Sequence, residues 1–505
     1  MMTEDQSETI ALLADPASYG HAGAVERMET HISMIFLVGD RAYKMKKALK
    51  LPYVDFSTGK IRDEACRKEV ALNRETAPGL YVGVRRITQS VAGALEFDGK
   101  GPLVDTVVEM MRFSQEQLLD RMAVAGRLTP ELMTATARMI ALYHRRAPVV
   151  CFGGGAANIA AVLDINDAGF ATSHVFGRTE VEKLSETLRS RSKRYEQLLD
   201  GRALSGKVRR CHGDLHLRNI CLLAGRPCLF DCIEFNLAIA TIDVLYDLAF
   251  LLMDLWHRGF AHLANLVMNR YLDETDDEEG FCLLPFFMAI RAAVRAHVTA
   301  TQAEEPSQDF RKLAGEARSY FDLAHSLLED RPPRLIAIGG LSGSGKTTVA
   351  DLLAAKIGAA PGARIVESDR IRKGLHGVSA ETRLPVSAYH PDVSIKVYRE
   401  MARHGGLILS KGGSVVADAV FDDPGNRRLM ETVAAETNAR FQGIWLEAHP
   451  KVLWQRVHDR VGGPSDATTG VLTGQLARNS TEVTWRHLDT SASVDATIAA
   501  IVSDS

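Results

Sequence analysis

Arg209 to Asn236 reads RRCHGDLHLRNICLLAGRPCLFDCIEFN. Asp214 stands five residues before Asn219, and Asp231 follows a short hairpin pattern. Phosphoryl transfer to a hydroxyl needs an acceptor for the hydroxyl proton. It also needs groups that neutralise the charge developing on the transferred phosphoryl. Asp214 suits the first task as catalytic base, and Asn219 and Asp231 suit the second as ligands of Mg²⁺. His212, two residues before Asp214, can brace the loop backbone.

A second stretch, Gly340 to Thr348, reads GLSGSGKTT, and its first eight residues fit G-x-x-x-x-G-K-[ST] in full. It follows an apolar strand pattern and opens a helical one, which is the context this loop requires. Gly340, Ser342, Gly343, Ser344 and Gly345 let backbone N–H groups wrap phosphates. Lys346 reaches the β- and γ-phosphates, Thr347 ligates Mg²⁺, and Thr348 completes the nucleotide-binding set. Downstream, the strand pattern ARIVESD ends at Asp369, a carboxylate able to take a proton from an acceptor hydroxyl. Arg370 and Arg372 follow it and suit an anionic substrate. The pattern SVVADAVF carries Asp418, a carboxylate for Mg²⁺ or its water shell. Arg456 and Arg460 lie one turn apart before a Gly-Gly-Pro, as in a lid whose arginines close over phosphates.

These sites need elements to hold them. HISMIFLVGDRAYKMKKALKL reads as two strands joined at Gly39–Asp40. Helical spacing follows in STGKIRDEACRKEVALNRETAP and in PELMTATARMIALYHRRA. After Asp231 comes a long helical pattern, from about Asp243 to Leu328. Strands then alternate with helices, which implies a parallel sheet covered on both faces. Pro332–Pro333 cannot continue a helix and divides the chain into 1–330 and 331–505, with a hinge or linker between them.

With these elements assigned, HGDLHLRN…LFDCIEFN…IDVLYDLAF resembles the aminoglycoside phosphotransferase and choline kinase branch of the kinase-like fold. The resemblance covers most of 25–330. It implies that Asp214 is the base and that Asn219 and Asp231 are metal ligands. It also implies that Asp243 and Asp247 pin the following helix. In DRAYKMKKAL, Lys44 and Lys46 share one strand face, and both match the family's phosphate-pairing lysine. Lys44 fits better, with Glu69 as its ion-pair partner. The first strands lack GxGxxG, and Cys-Ile-Glu follows Asp231 in place of Phe-Gly. Glu234 is a further metal-shell or substrate candidate. The segment 331–505 resembles the small P-loop kinases, among them gluconate kinase, zeta toxin and chloramphenicol phosphotransferase. The implied fold is an α+β kinase-like bilobal domain followed by an α/β P-loop NTPase domain with a parallel sheet.

Bulk properties narrow the classes. The 505 residues are 46% hydrophobic and 24% charged, ordinary for a multidomain soluble enzyme. The net charge of −3 and the lack of an aromatic-basic stripe argue against nucleic acid as partner. Leu248–Trp256 is too short and too interrupted to span a bilayer, and the acidic N-terminus lacks a signal-peptide n-region. Seven scattered cysteines point to reduced thiols and a cytoplasmic location. Cys228 and Cys232 have no second pair at zinc-ligand spacing. The glycine run in CFGGGAANI reads as a flexible connection, and YLDETDDEEGF as a solvated loop rather than an acidic acceptor cleft.

The expected activity is transfer of the ATP γ-phosphate to hydroxyls of small molecules (sugar, amino sugar or nucleoside class), with ATP and Mg²⁺ at two sites. One alternative makes the kinase-like half a regulatory or self-phosphorylating module. Another makes the P-loop half a polynucleotide 5′-hydroxyl kinase. Neither acceptor identity nor oligomeric state is written in the sequence.

Overall fold

A computed structural model describes residues 4–20, 23–51, 54–150, 154–304, 309–459, 463–477, 483–491 and 493–503. The chain packs as two compact units. One comprises Met1–Val162 with Arg194–Leu251, and the other Leu163–Lys193 with Leu252–Ser505.

The first unit opens with a six-stranded sheet in which every pairing is antiparallel. Its strands run in the order Glu26–Glu29, Ser33–Val38, Arg41–Lys46, Leu103–Met111, Tyr81–Gln89 and Leu95–Phe97. Gly39 takes φ +55°, so a two-residue turn closes Val38 onto Arg41 and twists with its strands. The Gly59–Thr76 helix is capped by Thr58, whose hydroxyl accepts from Ile61 N. It lays Cys66 and Val70 against the sheet, in a core with Leu37, Tyr81 and Val108. The hairpin after the HGDLHLRN sequence pairs Ile220–Leu223 with Arg226–Leu229. Its turn is only Ala224–Gly225, so Arg226 and Pro227 already belong to the second strand. Both turn residues have positive φ, which a tight hairpin of this hand requires.

The glycine run is no flexible connection where it is described. A Cβ on Gly155 would lie 2.1 Å from the Leu199 carbonyl oxygen, and one on Gly154 would lie 2.6 Å from Asp200 Oδ1. Asp200 Oδ1 also accepts from Ala156 N at 2.9 Å. These glycines let two backbones meet, and their absent side chains are a packing requirement. Gly153 lies outside the described residues.

The second unit holds a five-stranded parallel sheet. Its order is Arg364–Glu367, Val415–Asp418, Arg334–Gly340, Arg440–Glu447, Arg486–Asp489. Ile336, Ile338, Val349, Leu353, Val416 and Ile444 form its buried core. The helices Ala261–Thr275 and Leu284–Ala303 and the Phe310–Leu327 helix precede it in the same unit. The run Glu278–Ala303 is long and apolar enough to cross a membrane, but 78% of its window is buried inside the protein. It is a core helix by packing.

The acidic stretch is solvated only in part. Asp277 and Glu278 are buried, Glu278 only 3% exposed, whereas Asp276 and Glu279 are exposed and the Asp273 side chain is 17% exposed. Arg364 lies 2.7 Å from Asp273 and 3.0 Å from Glu278. His404 Nδ1 stands 3.1 Å from the same Glu278 oxygen. Burial opposes the Glu278 charge, yet His404 and Arg364 hold its carboxyl down at about 2.

Candidate functional site

In the first unit, the Arg41–Lys46 strand sends Lys44 and Lys46 to the same face. Glu69, from the Gly59–Thr76 helix, receives both. Its Oε1 lies 2.8 Å from Lys44 Nζ and its Oε2 2.7 Å from Lys46 Nζ. Lys44 also pairs with Asp231, and Lys46 with Glu234. Burial opposes the charge on Glu69, but the two ammoniums hold its carboxyl down at about 2. Burial pushes the Glu234 carboxyl up despite Lys46 beside it. Glu234 is thus the buried partner of the second lysine, and its carboxylate is 5% exposed.

Asp231 sits two residues past the hairpin's second strand, at φ +64°. A non-glycine residue there stores about 1 kcal/mol of strain or more, so its surroundings must hold it. Tyr81 Oη accepts from Asp231 N at 3.1 Å, and Asn73 Oδ1 accepts from Cys232 N at 2.9 Å. Asn73 lies four residues after Glu69, on the same helix face. The i+4 spacing was the one available signal for it.

The HGDLHLRN loop is anchored from beneath. Asp247 accepts from His212 N at 3.1 Å and Gly213 N at 2.9 Å, and meets His144 Nε2 at 3.1 Å. Asp243 takes the Arg202 guanidinium at 2.7 and 2.8 Å. His212 Nε2 donates to the Phe230 carbonyl at 2.9 Å, which ties the loop to the chain beside Asp231. Asn219 Nδ2 donates to both the carbonyl and the Oδ2 of Asp214, each at 2.9 Å. No described residue donates to Asn219 Oδ1. His216 Nε2 lies 3.3 Å from Asp214 Oδ2, and His216 Nδ1 accepts from Arg218 N. With Nδ1 accepting, Nε2 is the nitrogen that donates to the Asp214 carboxylate. Sequence reasoning passed over His216.

In the second unit, the loop after Arg334–Gly340 lines a cavity of about 570 Å³ with Ser342, Gly343, Gly345, Lys346, Thr347 and Thr348. Gly343 and Gly345 have φ +85° and +91°, and Gly345 caps the helix that Lys346 begins. Gly340, φ +140°, is packed so closely that a Cβ would lie 2.5 Å from the Leu446 carbonyl oxygen. The Ser344 side-chain oxygen is buried and has no hydrogen-bond partner among the described residues. Lys346 Nζ donates to the Leu341 carbonyl at 3.1 Å, and Ser342 N donates to Gln475 Oε1 at 2.9 Å. Gln475 was not foreseen.

Thr347 Oγ1 donates to Asp418 Oδ2 at 2.7 Å. Asp418, Asp369 and Glu367 all line the cavity. Burial pushes Asp418 up to about 6 and Glu367 up to about 8, and it raises Asp369 as well. Converging carboxylates that resist ionisation are the donor set of a site that gains from a cation.

Arg372 lines the cavity, donates to the Ala388 carbonyl at 2.8 Å, and lies 4.8 Å from the Tyr389 ring centroid. Arg370, expected beside it, is absent from the lining. It turns to Glu367 at 2.8 Å and Asp273 at 3.5 Å, because one residue of helix separates opposite directions. Arg456 also stays out of the lining. It braces the loop backbone at Gly343 O, 3.4 Å, and Thr490 O, 2.8 Å. Arg460 lies outside the described residues. Asp466 was missed by sequence reasoning. It gathers Lys373 Nζ, Tyr389 Oη and Leu384 N at 2.8, 2.6 and 2.9 Å.

Fold and sites together define a kinase-type enzyme, with an aminoglycoside-phosphotransferase-like domain followed by a P-loop domain. Residues 64–281 match the model of the phosphotransferase enzyme family, and residues 335–481 match an AAA domain model. Kinase domains of these types imply ATP as the donor. An uncharacterized protein from Mycobacterium tuberculosis (strain ATCC 25618 / H37Rv) is 29% identical over 475 residues, 92% of each chain. A choline/ethanolamine kinase family protein from Mesorhizobium loti is 16% identical, with TM-score 0.39, over 63% of this chain and 93% of its own. The APS kinase of Mycobacterium tuberculosis, solved with AMPPNP and APS, is 18% identical, with TM-score 0.26, over 34% of this chain and 98% of its own.

Proposed function

We propose that the chain is a bifunctional small-molecule kinase, moving the ATP γ-phosphoryl group to acceptor hydroxyls at two sites in segments 1–330 and 331–505. The carrying observation is that each site joins a cation for phosphate oxygens to carboxylates able to accept a proton or a metal. At the first, Lys44 pairs with Asp231 while Asn219 holds the Asp214 carboxylate. At the second, Lys346 and Thr347 stand among Asp369, Asp418 and Glu367.

Asp214 accepts the acceptor hydroxyl's proton at the first site, with His216 and Asn219 fixing its carboxylate. Lys44 orients phosphate oxygens, and Glu69 orients Lys44. At the second site the glycine-loop amides and Lys346 hold the phosphates, Asp369 takes the proton, and Arg372 faces an anionic acceptor. Mg²⁺ would be held by Asn219 and Asp231 at one site and by Thr347 and Asp418 at the other, neutralising charge on the phosphates. Two ammoniums, Lys44 and Lys46, face three carboxylates, Glu69, Asp231 and Glu234, and the excess negative charge suits a divalent cation. Acceptors of the sugar, amino sugar or nucleoside class fit this chemistry.

ATP consumption over a panel of such acceptors tests the reading, with Asp214→Ala and Lys346→Ala made separately. Each substitution should abolish transfer to a different acceptor set. Unchanged transfer in both would refute the proposal.

A further inference from the structure

Arg364–Glu367 is an outer strand of the parallel sheet, bonded on one side only, to Val415–Asp418. Such an edge exposes unpaired peptide groups, and proteins cover it. Here the Ala261–Thr275 helix presents asparagine amides where a neighbouring strand would present peptides. Asn269 Oδ1 accepts from Ile365 N at 2.7 Å. Asn269 Nδ2 and Asn265 Nδ2 donate to the Ala363 carbonyl at 3.3 and 3.0 Å, and Asn265 Nδ2 lies 3.0 Å from the Pro361 carbonyl. Asn265 is 1% exposed and Asn269 0%. The spacing from Asn265 to Asn269 to Asp273 repeats every four residues, one helix face.

Asp273 continues that face toward the cavity. It lies 2.7 Å from Arg364 and 3.5 Å from Arg370, and Arg370 Nε donates to Glu367 Oε2 at 2.8 Å. Glu367 lines the P-loop cavity beside Asp369 and Asp418. On the same helix Arg270 reaches Asp351 at 3.4 Å, and Asp351 belongs to the helix that starts at Lys346. The helix thus touches both elements that build the nucleotide site, although Pro332–Pro333 separates it from them in sequence.

We propose that the Ala261–Thr275 helix is part of the P-loop site, and that Asp273 is a positioning residue which, through Arg370, fixes the place of the Glu367 carboxylate. A guanidinium between two carboxylates is held in one plane by both. Without the Asp273 charge, Arg370 is held from the Glu367 side only, and Glu367 loses its fixed place in the cavity wall.

The inference rests on the P-loop cavity being a phosphoryl-transfer site, and the test separates the two. The full chain is assayed for Lys346-dependent ATP turnover, for binding of a fluorescent ATP analogue with Mg²⁺, and for thermal unfolding. Asp273→Asn should lower kcat/KM for ATP about tenfold and weaken analogue binding by about the same factor. Asp273→Glu should restore most of both losses. If Asp273→Asn fails to fold, Arg370→Lys, which keeps the charge without the planar fork, is read for the same losses. A lowered unfolding temperature with parental turnover and parental binding overturns the positioning role. Should the parent show no Lys346-dependent turnover, the phosphotransfer reading fails. Analogue binding then decides the inference alone, by the same loss and rescue or their absence.

Discussion

Lys44 and Lys46 share one carboxylate: Glu69 gives Oε1 to Lys44 at 2.8 Å and Oε2 to Lys46 at 2.7 Å. Their second partners separate their roles. Lys44 meets Asp231, whose side chain is 40% exposed, whereas Lys46 meets Glu234, whose side chain is 4% exposed. Lys44 is at the edge of solvent and Lys46 is interior.

Lys44→Met should therefore abolish Asp214-dependent transfer while leaving the fold intact. Lys46→Met leaves Glu234 buried without its cation, and should cost about 3–5 kcal/mol of stability. Urea unfolding of the two variants checks this. Equal midpoints would remove the distinction.

Asp418 yields a pH prediction. Burial holds its carboxyl up at about 6 in the folded chain, above the ordinary carboxylate range. The folded form therefore keeps a proton that the unfolded chain has released, and stability from this group falls as pH rises through about 6. A nucleotide carrying Mg²⁺ needs the ionised form. Its affinity should rise from about pH 5 to about pH 7, and its thermal stabilisation of the chain should grow likewise. Titration by calorimetry checks both. Asp418→Asn should bind weakly with no such slope.

Gly155→Ala should destabilise the chain by about 1–3 kcal/mol, since the new Cβ would meet backbone rather than a movable side chain. A fall in thermal midpoint, with nucleotide affinity at Lys346 unchanged, is the expected result. A parental midpoint would mean that the two backbones can part.

What the sequence made legible was local. Asp214 and Asn219 lie five apart, and the phosphate loop is one continuous run, so spacing alone marks them. The alternation of strands and helices after Pro333 likewise announces the parallel sheet. Residues whose meaning lies in a distant partner carried no mark. Asn73 meets Cys232 across 159 residues, Lys46 meets Glu234 across 188, and Asp466 meets Lys373 across 93. The acidic stretch misled in part for the same reason: Glu278 looks solvated in its row of charges but is buried once Arg364 and His404 arrive from elsewhere. Arg370 and Arg372 looked equivalent, and helix geometry alone sends them to different sides.

Arg364 is the test of how firmly the acidic stretch and the sheet edge are joined. It is 6% exposed and meets Asp273 at 2.7 Å and Glu278 at 3.0 Å. Removing it alone leaves the buried Glu278 carboxylate with His404 only, so Arg364→Met should cost about 3 kcal/mol. Removing Glu278 alone strands part of the guanidinium charge instead. The paired change Arg364→Met with Glu278→Gln should cost less than the sum of the two single changes, by about 1–3 kcal/mol. Urea unfolding of the four chains measures that difference. Additive losses would mean that the charges do not feel one another, and that Asn265 and Asn269 alone hold the helix to the strand. A segment 331–505 made alone lacks every one of these partners. It should unfold at lower urea and self-associate through the uncovered Arg364–Glu367 edge.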